Sequence, residues 1–197
     1  MNNKSSTRLI NSTLEQIDAS TRSILDHWTQ IAPNDRLAHL LRDASRGLTR
    51  ALQLRLSDYD ISFGHWVFLR ILWTFDGLSQ RELATQAGLM ESTTHTALNR
   101  MEELGYVERR HKPGNQRRLH VFLTRNGRAL EKTLVPLAEE VNRVAVTGLT
   151  VEQVDMVREA MLTIITNLAV DEASAADRGQ RIVSTRDLGK RTSQVKR

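Results

Sequence analysis

The sequence predicts a mainly helical protein with one small β-hairpin, and three observations lead to this prediction. The 197-residue chain is 40% apolar but only 5% aromatic, so its core must be aliphatic, which favours packed helices. Long stretches repeat apolar residues at intervals of three and four, the period of an amphipathic helix. Residues 106–111 instead alternate apolar and polar side chains, as a strand does. Length and composition indicate one domain with appendages.

Composition also excludes several kinds of chemistry. The absence of cysteine rules out disulfides, thiol nucleophiles, thiol-based redox sensing and zinc sites built on thiolates. No apolar run reaches about 18 residues and no secretory signal is recognisable, so we expect a cytoplasmic protein without membrane contact. The six histidines are too scattered for a local metal motif, and nothing indicates a bound cofactor.

The first helices are predicted from apolar spacing. Between Leu14 and Ile31 one narrow apolar seam recurs at intervals of three and four residues, which predicts a helix within an N-terminal extension, residues 1–34. Such a seam favours pairing, so we expect this extension to aid dimerisation. A second helix is predicted within residues 35–60. Residues 62–75, SFGHWVFLRILWTF, are apolar nearly all round, which predicts a central helix packed on several sides.

A helix-turn-helix and a hairpin are predicted next. Ser79 can cap a short helix, Gly88 breaks the chain, and a second helix runs from about Glu91 to Leu104. Two alternating segments, YVERRH and LHVFL, then flank a turn-rich tip at residues 112–116. We expect residues 61–124 to form a winged helix-turn-helix in which this hairpin is the wing.

Two long helices are predicted after the hairpin. Thr124 caps the first, and Thr150 with a glutamine three residues later forms a capping box for the second. We expect residues 35–60 and 125–170 to form a helical dimerisation region, built from both chain ends. Residues 171–197 are basic and poor in apolar side chains, which predicts a disordered tail. This tail is either merely solvated or a weak, non-specific DNA tether.

Positive charge is concentrated on the predicted hairpin. The chain carries a formal net charge of +5, and residues 109–128 contain seven Lys and Arg side chains with no Asp or Glu. A local basic patch beside a helix-turn-helix is typical of a protein that binds nucleic acid.

The segment from residue 76 to residue 130 carries a family resemblance. Its string DGLSQRELATQAGLMESTTHTALNRMEELGYVERRHKPGNQRRLHVFLTRNGRAL resembles the MarR family of bacterial transcription regulators. The resemblance implies a winged-helix homodimer that binds a palindromic operator in double-stranded DNA and is usually released by a small ligand. The family's wing commonly carries Asp-x-Arg, where this chain has Asn115-Gln116-Arg117. Because Asn115 cannot form a charge-assisted bidentate pair, we expect Arg117 to become ordered on DNA.

The second helix of the helix-turn-helix then becomes the recognition helix. Thr94, Ala97, Leu98 and Met101 are expected to face inward, and the outward residues suit a major groove, since Asn pairs with adenine and Arg with guanine. The outward residues are Ser92, Thr93, His95, Thr96, Asn99 and Arg100. On the wing we expect Arg117 to read a minor groove and the other cations to contact phosphates. The wing residues expected to bind DNA are Arg109, Arg110, Lys112, Asn115, Arg117 and Arg118.

Support for an effector site is weaker. The family's effectors are commonly small aromatic acids, and the candidate residues for binding one are His39, Arg46, Arg55, His65 and Trp66. His65 lies on the nearly all-apolar helix, where it binds an acid or is a satisfied core histidine. Arg55 projects onto an apolar helix face, where it meets an effector carboxylate, or else snorkels or pairs with Asp58 or Asp60. His39 and Arg46 are solvated, interfacial or pocket-lining.

The sequence therefore predicts a ligand-responsive, sequence-specific DNA-binding regulator, most simply a repressor, and three alternatives remain. One is a regulator without an effector, and another is an architectural protein that binds DNA without sequence preference. The third is an enzyme in which His65, with an acid such as Asp76, acts as a base, for which no supporting motif exists.

Overall fold

A computed structural model describes residues 19, 21–23, 37–112 and 115–180. The helices are α1 (Leu37–Ser57), α2 (Phe63–Thr74), α3 (Gln80–Ala87), α4 (Glu91–Glu103), α5 (Arg125–Ala145) and α6 (Val151–Asp177). The strands are β1 (Leu78–Ser79), β2 (Val107–Lys112) and β3 (Asn115–Leu123). The predicted mainly helical fold with a small hairpin is confirmed. The chain divides into two compact units, residues 1–147 and 148–197.

The central position predicted for α2 is confirmed. Ser62 caps this helix by accepting a hydrogen bond from the backbone N–H of His65. Five of its twelve residues are buried, which explains a sequence that is apolar on nearly every side. The core around α2 draws on every other helix and on the hairpin of the first unit, through residues such as Leu56, Leu83, Leu98, Val121 and Leu134.

The hairpin belongs to a sheet of three antiparallel strands in the order β1-β3-β2. Strand β1 pairs through Leu78 with Val121 and through Ser79 with His120. Strand β1 was not predicted, because two residues are too few to show an alternating pattern. In the hairpin, Val107 pairs with Leu123, and the register shifts between His111 and Lys112.

Helix α6 is the one described helix of the second unit. Its predicted capping box is confirmed, since Thr150 accepts from the backbone of Gln153 while the Gln153 side chain accepts from the backbone of Thr150. The helix continues to Asp177, so the boundary predicted for the tail at residue 171 was too early. None of its residues is buried, and its exposed apolar side chains include Met156, Val157, Leu162, Ile165, Leu168 and Val170.

Some predictions fall on residues that the structure does not describe. The N-terminal extension lies outside the described residues except for residues 19 and 21–23, which are helical. Tail residues 181–197 also lie outside them. None of the described helices combines the length and the apolar character that a membrane span requires.

Candidate nucleic-acid interface

Helices α3 and α4 form the predicted helix-turn-helix. Ser79 donates through its backbone N–H and its hydroxyl to the Glu82 carboxylate, at 2.7 and 2.6 Å, and its Oγ accepts from the Glu82 backbone. These hydrogen bonds lower the pKa of Glu82 below its ordinary value, with smaller electrostatic contributions from His120 and Lys112. Gly88 ends α3 at a φ of 64°, in the left-handed region that favours glycine. Local chemistry therefore fixes both ends of α3.

Helix α4 has the inward and outward faces that the sequence predicts. Thr94, Leu98 and Met101 are buried, and Ala97 is partly buried. The six residues predicted to face DNA are all exposed: Ser92, Thr93, His95, Thr96, Asn99 and Arg100. The N-cap, Met90, makes no side-chain hydrogen bond to the first turn. The exposed face of α4 thus presents short polar groups and one arginine.

Four of these polar side chains already make hydrogen bonds within the protein, including Thr96, whose hydroxyl donates to the backbone oxygen of Ser92 at 3.2 Å. Arg100 pairs with Glu103 at 2.9 Å on the helix surface. Nδ2 of Asn99 lies 3.3 Å from Nε2 of His95, and Nδ1 of His95 lies 3.2 Å from Oε1 of Gln80 on α3. The exposed face of α4 is therefore already hydrogen-bonded in the protein without nucleic acid.

Arg109, one of the cations expected to contact phosphates, is largely enclosed within the protein. Its side chain is only 16% exposed, and its guanidinium donates to Oδ1 of Asn99. Its Nε lies 3.4 Å from the Glu102 carboxylate, which also accepts from the Arg109 backbone N–H at 3.0 Å. Both partners lie on α4, so Arg109 connects the wing strand to the recognition helix.

The remaining wing cations lie farther out. The Arg110 guanidinium stacks over the Phe122 ring at 3.7 Å and pairs with Glu108 at 3.0 Å. Lys112 is partly buried and Arg118 is exposed. Asn115 and Arg117 lie in β3, but their side chains fall outside the described part of the structure, so the groove contact proposed for Arg117 stays a prediction.

Asp76 has a structural role that the sequence analysis did not predict. One oxygen of its carboxylate accepts from the backbone N–H of Leu123 at 2.9 Å, and the other pairs with Arg128. These contacts join the end of α2 to the end of β3 and the first turn of α5. A carboxylate held in this way anchors the start of the wing, and it is not free to assist His65 as the enzymatic alternative required.

The candidate effector residues do not converge within one protomer. His39 and Arg46 are exposed on α1, and the rise of 1.5 Å per residue separates His39 from Arg55 by about 24 Å along the helix. His65 and Trp66 lie together on α2, where Trp66 is buried and packs edge-on against Trp73 at 5.6 Å. One small acid therefore cannot contact both His39 and Arg55 of the same chain.

Arg55 has a different partner from those predicted. Its guanidinium donates to Glu140 on α5 at 2.8 Å and to the backbone oxygen of Ala51 at 3.1 Å. The expected pairing with Asp58 or Asp60 was wrong, because α1 packs against α5 and brings a closer carboxylate to the arginine. The hydrogen bond between them raises the pKa of Arg55 and lowers that of Glu140.

His65 is the most unusual titratable group of this region. Its Nδ1 is buried and lacks a hydrogen-bond partner among the described residues. Burial lowers the pKa of His65 below 6.5, and the positive charge of Arg100 on α4 lowers it further. The expectation of a satisfied core histidine is therefore not met at Nδ1. The described residues include no group of three side chains suited to hold a metal ion.

Comparison with known proteins assigns this architecture. The sequence profile of the MarR family matches residues 61–119. The repressor Rv2887 of Mycobacterium tuberculosis is 32% identical over 102 residues, which are 52% of this chain and 73% of the relative. The chain belongs to the MarR family. The regulator TtmR of Methylorubrum extorquens is a further relative, 26% identical over 70% of this chain and 71% of its own length.

Solved structures of MarR proteins share the fold. A Listeria monocytogenes family member, crystallised with a 26mer DNA, superposes with a TM-score of 0.65 at 19% identity, over 76% of this chain and 99% of that one. Rv2887 in complex with salicylic acid gives a TM-score of 0.57 at 27% identity, over 68% and 99% of the two chains. This MarR protein is thus a winged-helix transcription regulator and not an enzyme.

Proposed function

We propose that this MarR protein is a repressor that binds a palindromic operator as a homodimer and is released by a small aromatic acid. It would act on double-stranded DNA in the cytoplasm. The observation that carries the effector proposal is His65, whose buried Nδ1 lacks a partner while its titration is influenced by Arg100 of the recognition helix. A ligand bound at His65 would therefore act on the element that faces DNA.

The proposed chemistry at His65 follows from its protonation state. A lowered pKa keeps the imidazole neutral at pH 7, so one ring nitrogen can donate to a carboxylate and the other can accept. Trp66 and Trp73 add aromatic surface on the same helix. The relative Rv2887 is a repressor and was crystallised with salicylic acid, which supports this class of ligand. The effector would release DNA by binding the non-binding conformation more tightly.

The proposed DNA contacts divide by chemistry. The exposed residues of α4 enter the major groove, where Arg100 reads base edges and the small residues Ser92 and Thr93 allow close approach. Lys112 and Arg118 contact phosphates and contribute affinity without sequence information. Arg117 inserts into the adjacent minor groove.

The experiment that tests this function uses the full-length protein. Its binding to duplexes from its own upstream region is compared with binding to scrambled duplexes at fixed near-physiological salt, with and without salicylate and related aromatic acids. The His65→Gln variant tests the effector site, and its binding to the operator without acid is the control for intact DNA binding. We expect selective binding by both proteins, which one acid relieves in the parent but not in His65→Gln.

Other outcomes would select the alternatives. Selective binding that no acid changes would leave a regulator without an effector. Equal affinity for both duplexes with a steep salt dependence would indicate an architectural protein. Release by acid that persists in His65→Gln would keep the repressor function and remove His65 from the effector site.

A further inference from the structure

Four successive hydrogen bonds form a hydrogen-bond chain that begins at Arg109 on strand β2 and ends at Glu91, the first residue of α4. Its intermediate members are Asn99, His95 and Gln80. The donor and acceptor chemistry of these groups fixes the direction of each bond. A guanidinium only donates, so the oxygen of the Asn99 side chain must face Arg109. The Asn99 amide nitrogen then faces His95 and donates to its Nε2 at 3.3 Å. A neutral imidazole that accepts at Nε2 carries its proton on Nδ1, and this atom lies 3.2 Å from the side-chain oxygen of Gln80.

The last bond of this hydrogen-bond chain, from Gln80 to Glu91, confirms the direction independently. The amide nitrogen of Gln80 donates to the backbone oxygen of Glu91 at 3.4 Å. A backbone carbonyl only accepts, so the Gln80 oxygen must face His95, as the argument from Arg109 requires. Reversing the Asn99 amide would place its N–H groups against Arg109. The orientation of each group from Arg109 to Gln80 is therefore determined by both ends together.

Arg109 is well placed to orient this hydrogen-bond chain and poorly placed to bind a phosphate. Its side chain is largely enclosed, and its charge is compensated by Glu102 at 3.4 Å. The Glu102 carboxylate also accepts from the Arg109 backbone, which fixes the residue to α4 at two points. By contrast, Arg100 and Arg110 keep side chains that are more than half exposed although each pairs with a glutamate.

We propose that Arg109 is a specificity-determining residue that acts through Asn99 without touching DNA. The hydrogen-bond chain uses one lone pair of the Asn99 amide oxygen and one N–H of its amide nitrogen. The second lone pair and the second N–H remain available for a base edge. Adenine offers a matching donor and acceptor in the major groove, and a reversed amide would mismatch both. His95 is by the same argument a positioning residue, because both of its ring nitrogens are engaged. This inference rests on the proposed binding of operator DNA by α4.

The first test measures base preference. Affinities of the full-length protein are measured for its operator and for variants changed at each base pair in turn, over a salt series. Arg109→Ala is expected to reduce discrimination at one base pair about tenfold while leaving the salt slope unchanged. The control, Lys112→Ala, is expected to weaken all duplexes alike and to lower the salt slope by about one unit. Asn99→Ala should lose discrimination at the same base pair, and adding Arg109→Ala should change nothing further.

The second test needs no DNA. Long-range 15N–1H NMR spectra of the free protein report which nitrogen of His95 carries the proton, with His95→Gln used for assignment. We expect the Nδ1–H tautomer in the parent and a shift toward Nε2–H in Arg109→Ala. An Nε2–H tautomer of His95 in the parent would contradict the proposed hydrogen-bond chain from Arg109 to Gln80. If the parent prefers its operator and Arg109→Ala behaves like Lys112→Ala, the inference fails alone; if the parent has no base preference, the inference and the proposed function fail together.

Discussion

At the residue scale, Gly127 determines how closely α5 approaches the start of β2. A Cβ at this position would lie 2.0 Å from the backbone oxygen of Tyr106, and that oxygen already accepts from Thr124, the N-cap of α5. We predict that Gly127→Ala lowers the free energy of unfolding by at least about 1–3 kcal/mol, the usual cost of overpacking. Urea unfolding followed by circular dichroism measures the change.

A second glycine provides the control for this prediction. Gly47 lies within α1, and a Cβ there would meet nothing within 4 Å. Gly47→Ala is expected to raise the free energy of unfolding by roughly 0.5–1 kcal/mol, because alanine restricts the unfolded chain and favours the helix. Similar losses for both variants would show that steric overlap at Tyr106 is not the cause.

His65 makes stability depend on pH in a defined direction. Because burial and Arg100 depress its pKa in the folded state, the unfolded chain binds a proton more readily as the pH falls below 6.5. Stability from this residue is therefore present above pH 6.5 and is lost as the pH falls through the lowered folded pKa. We predict that His65→Gln flattens this loss between pH 7.5 and 5.5 in urea unfolding. The control His111→Gln, at an exposed position, should keep the parent's dependence; a parent-like slope in His65→Gln would contradict the assignment.

At the scale of elements, the first turn of α3 depends on one reciprocal cap. Ser79 and Glu82 each satisfy a backbone N–H of the other, so we predict that Ser79→Ala costs about 1 kcal/mol of unfolding free energy. Because the pKa of Glu82 is lowered in the folded protein, the carboxylate stabilises the fold at any pH above its ordinary pKa. This stabilisation is lost as the pH falls through the folded pKa. The difference between parent and variant should therefore shrink in acid, and a difference that stays constant from pH 7 to pH 3 would argue against the cap.

Removing a cation from the recognition helix is predicted to affect DNA binding differently from removing one from the wing. Arg100 lies on the exposed face of α4, so Arg100→Ala should change the order of preference among operator sequences. Lys112 lies at the end of β2, and its removal should leave that order unchanged while every duplex binds more weakly. Fluorescence anisotropy against a panel of operator variants measures both effects. Equal losses on every duplex for both substitutions would contradict this division.

The elements differed in how much the sequence could predict. Ser79, Gly88 and Thr150 act on backbone groups within a few residues of themselves, so their roles in starting and ending helices were readable from spacing alone. The outward face of α4 followed from its helical period. Asp76 and Arg128 are 52 residues apart, and the chain from Arg109 to Gln80 crosses three elements. Contacts of this kind depend on packing, which no local pattern encodes.

At the scale of the whole molecule, the exposed apolar surface of helix α6 supports the homodimer that the family resemblance implies. Helix α6 buries no residue within its own unit and exposes Leu162 at 58% and Ile165 at 62%. Several hundred Å² of apolar helix surface is unusual for a protein that remains monomeric. A second copy is the partner that the family resemblance implies, since a palindromic operator matches a two-fold symmetric protein.

The proposed homodimer leads to the last prediction. We expect the double substitution Leu162→Glu with Ile165→Glu to convert the protein to a monomer in light scattering, because burying these carboxylates opposes association. The substitutions should preserve the helical circular dichroism, since neither side chain supports the core of its own unit. Operator affinity should fall steeply, because each monomer then binds one half-site alone. Deleting residues 1–32 should weaken the dimer as well, through the apolar seam that begins at Leu14. Asn167→Glu, an exposed polar position of α6, serves as the charge control and should remain dimeric; an unchanged molar mass in the double variant would remove α6 from the dimer interface.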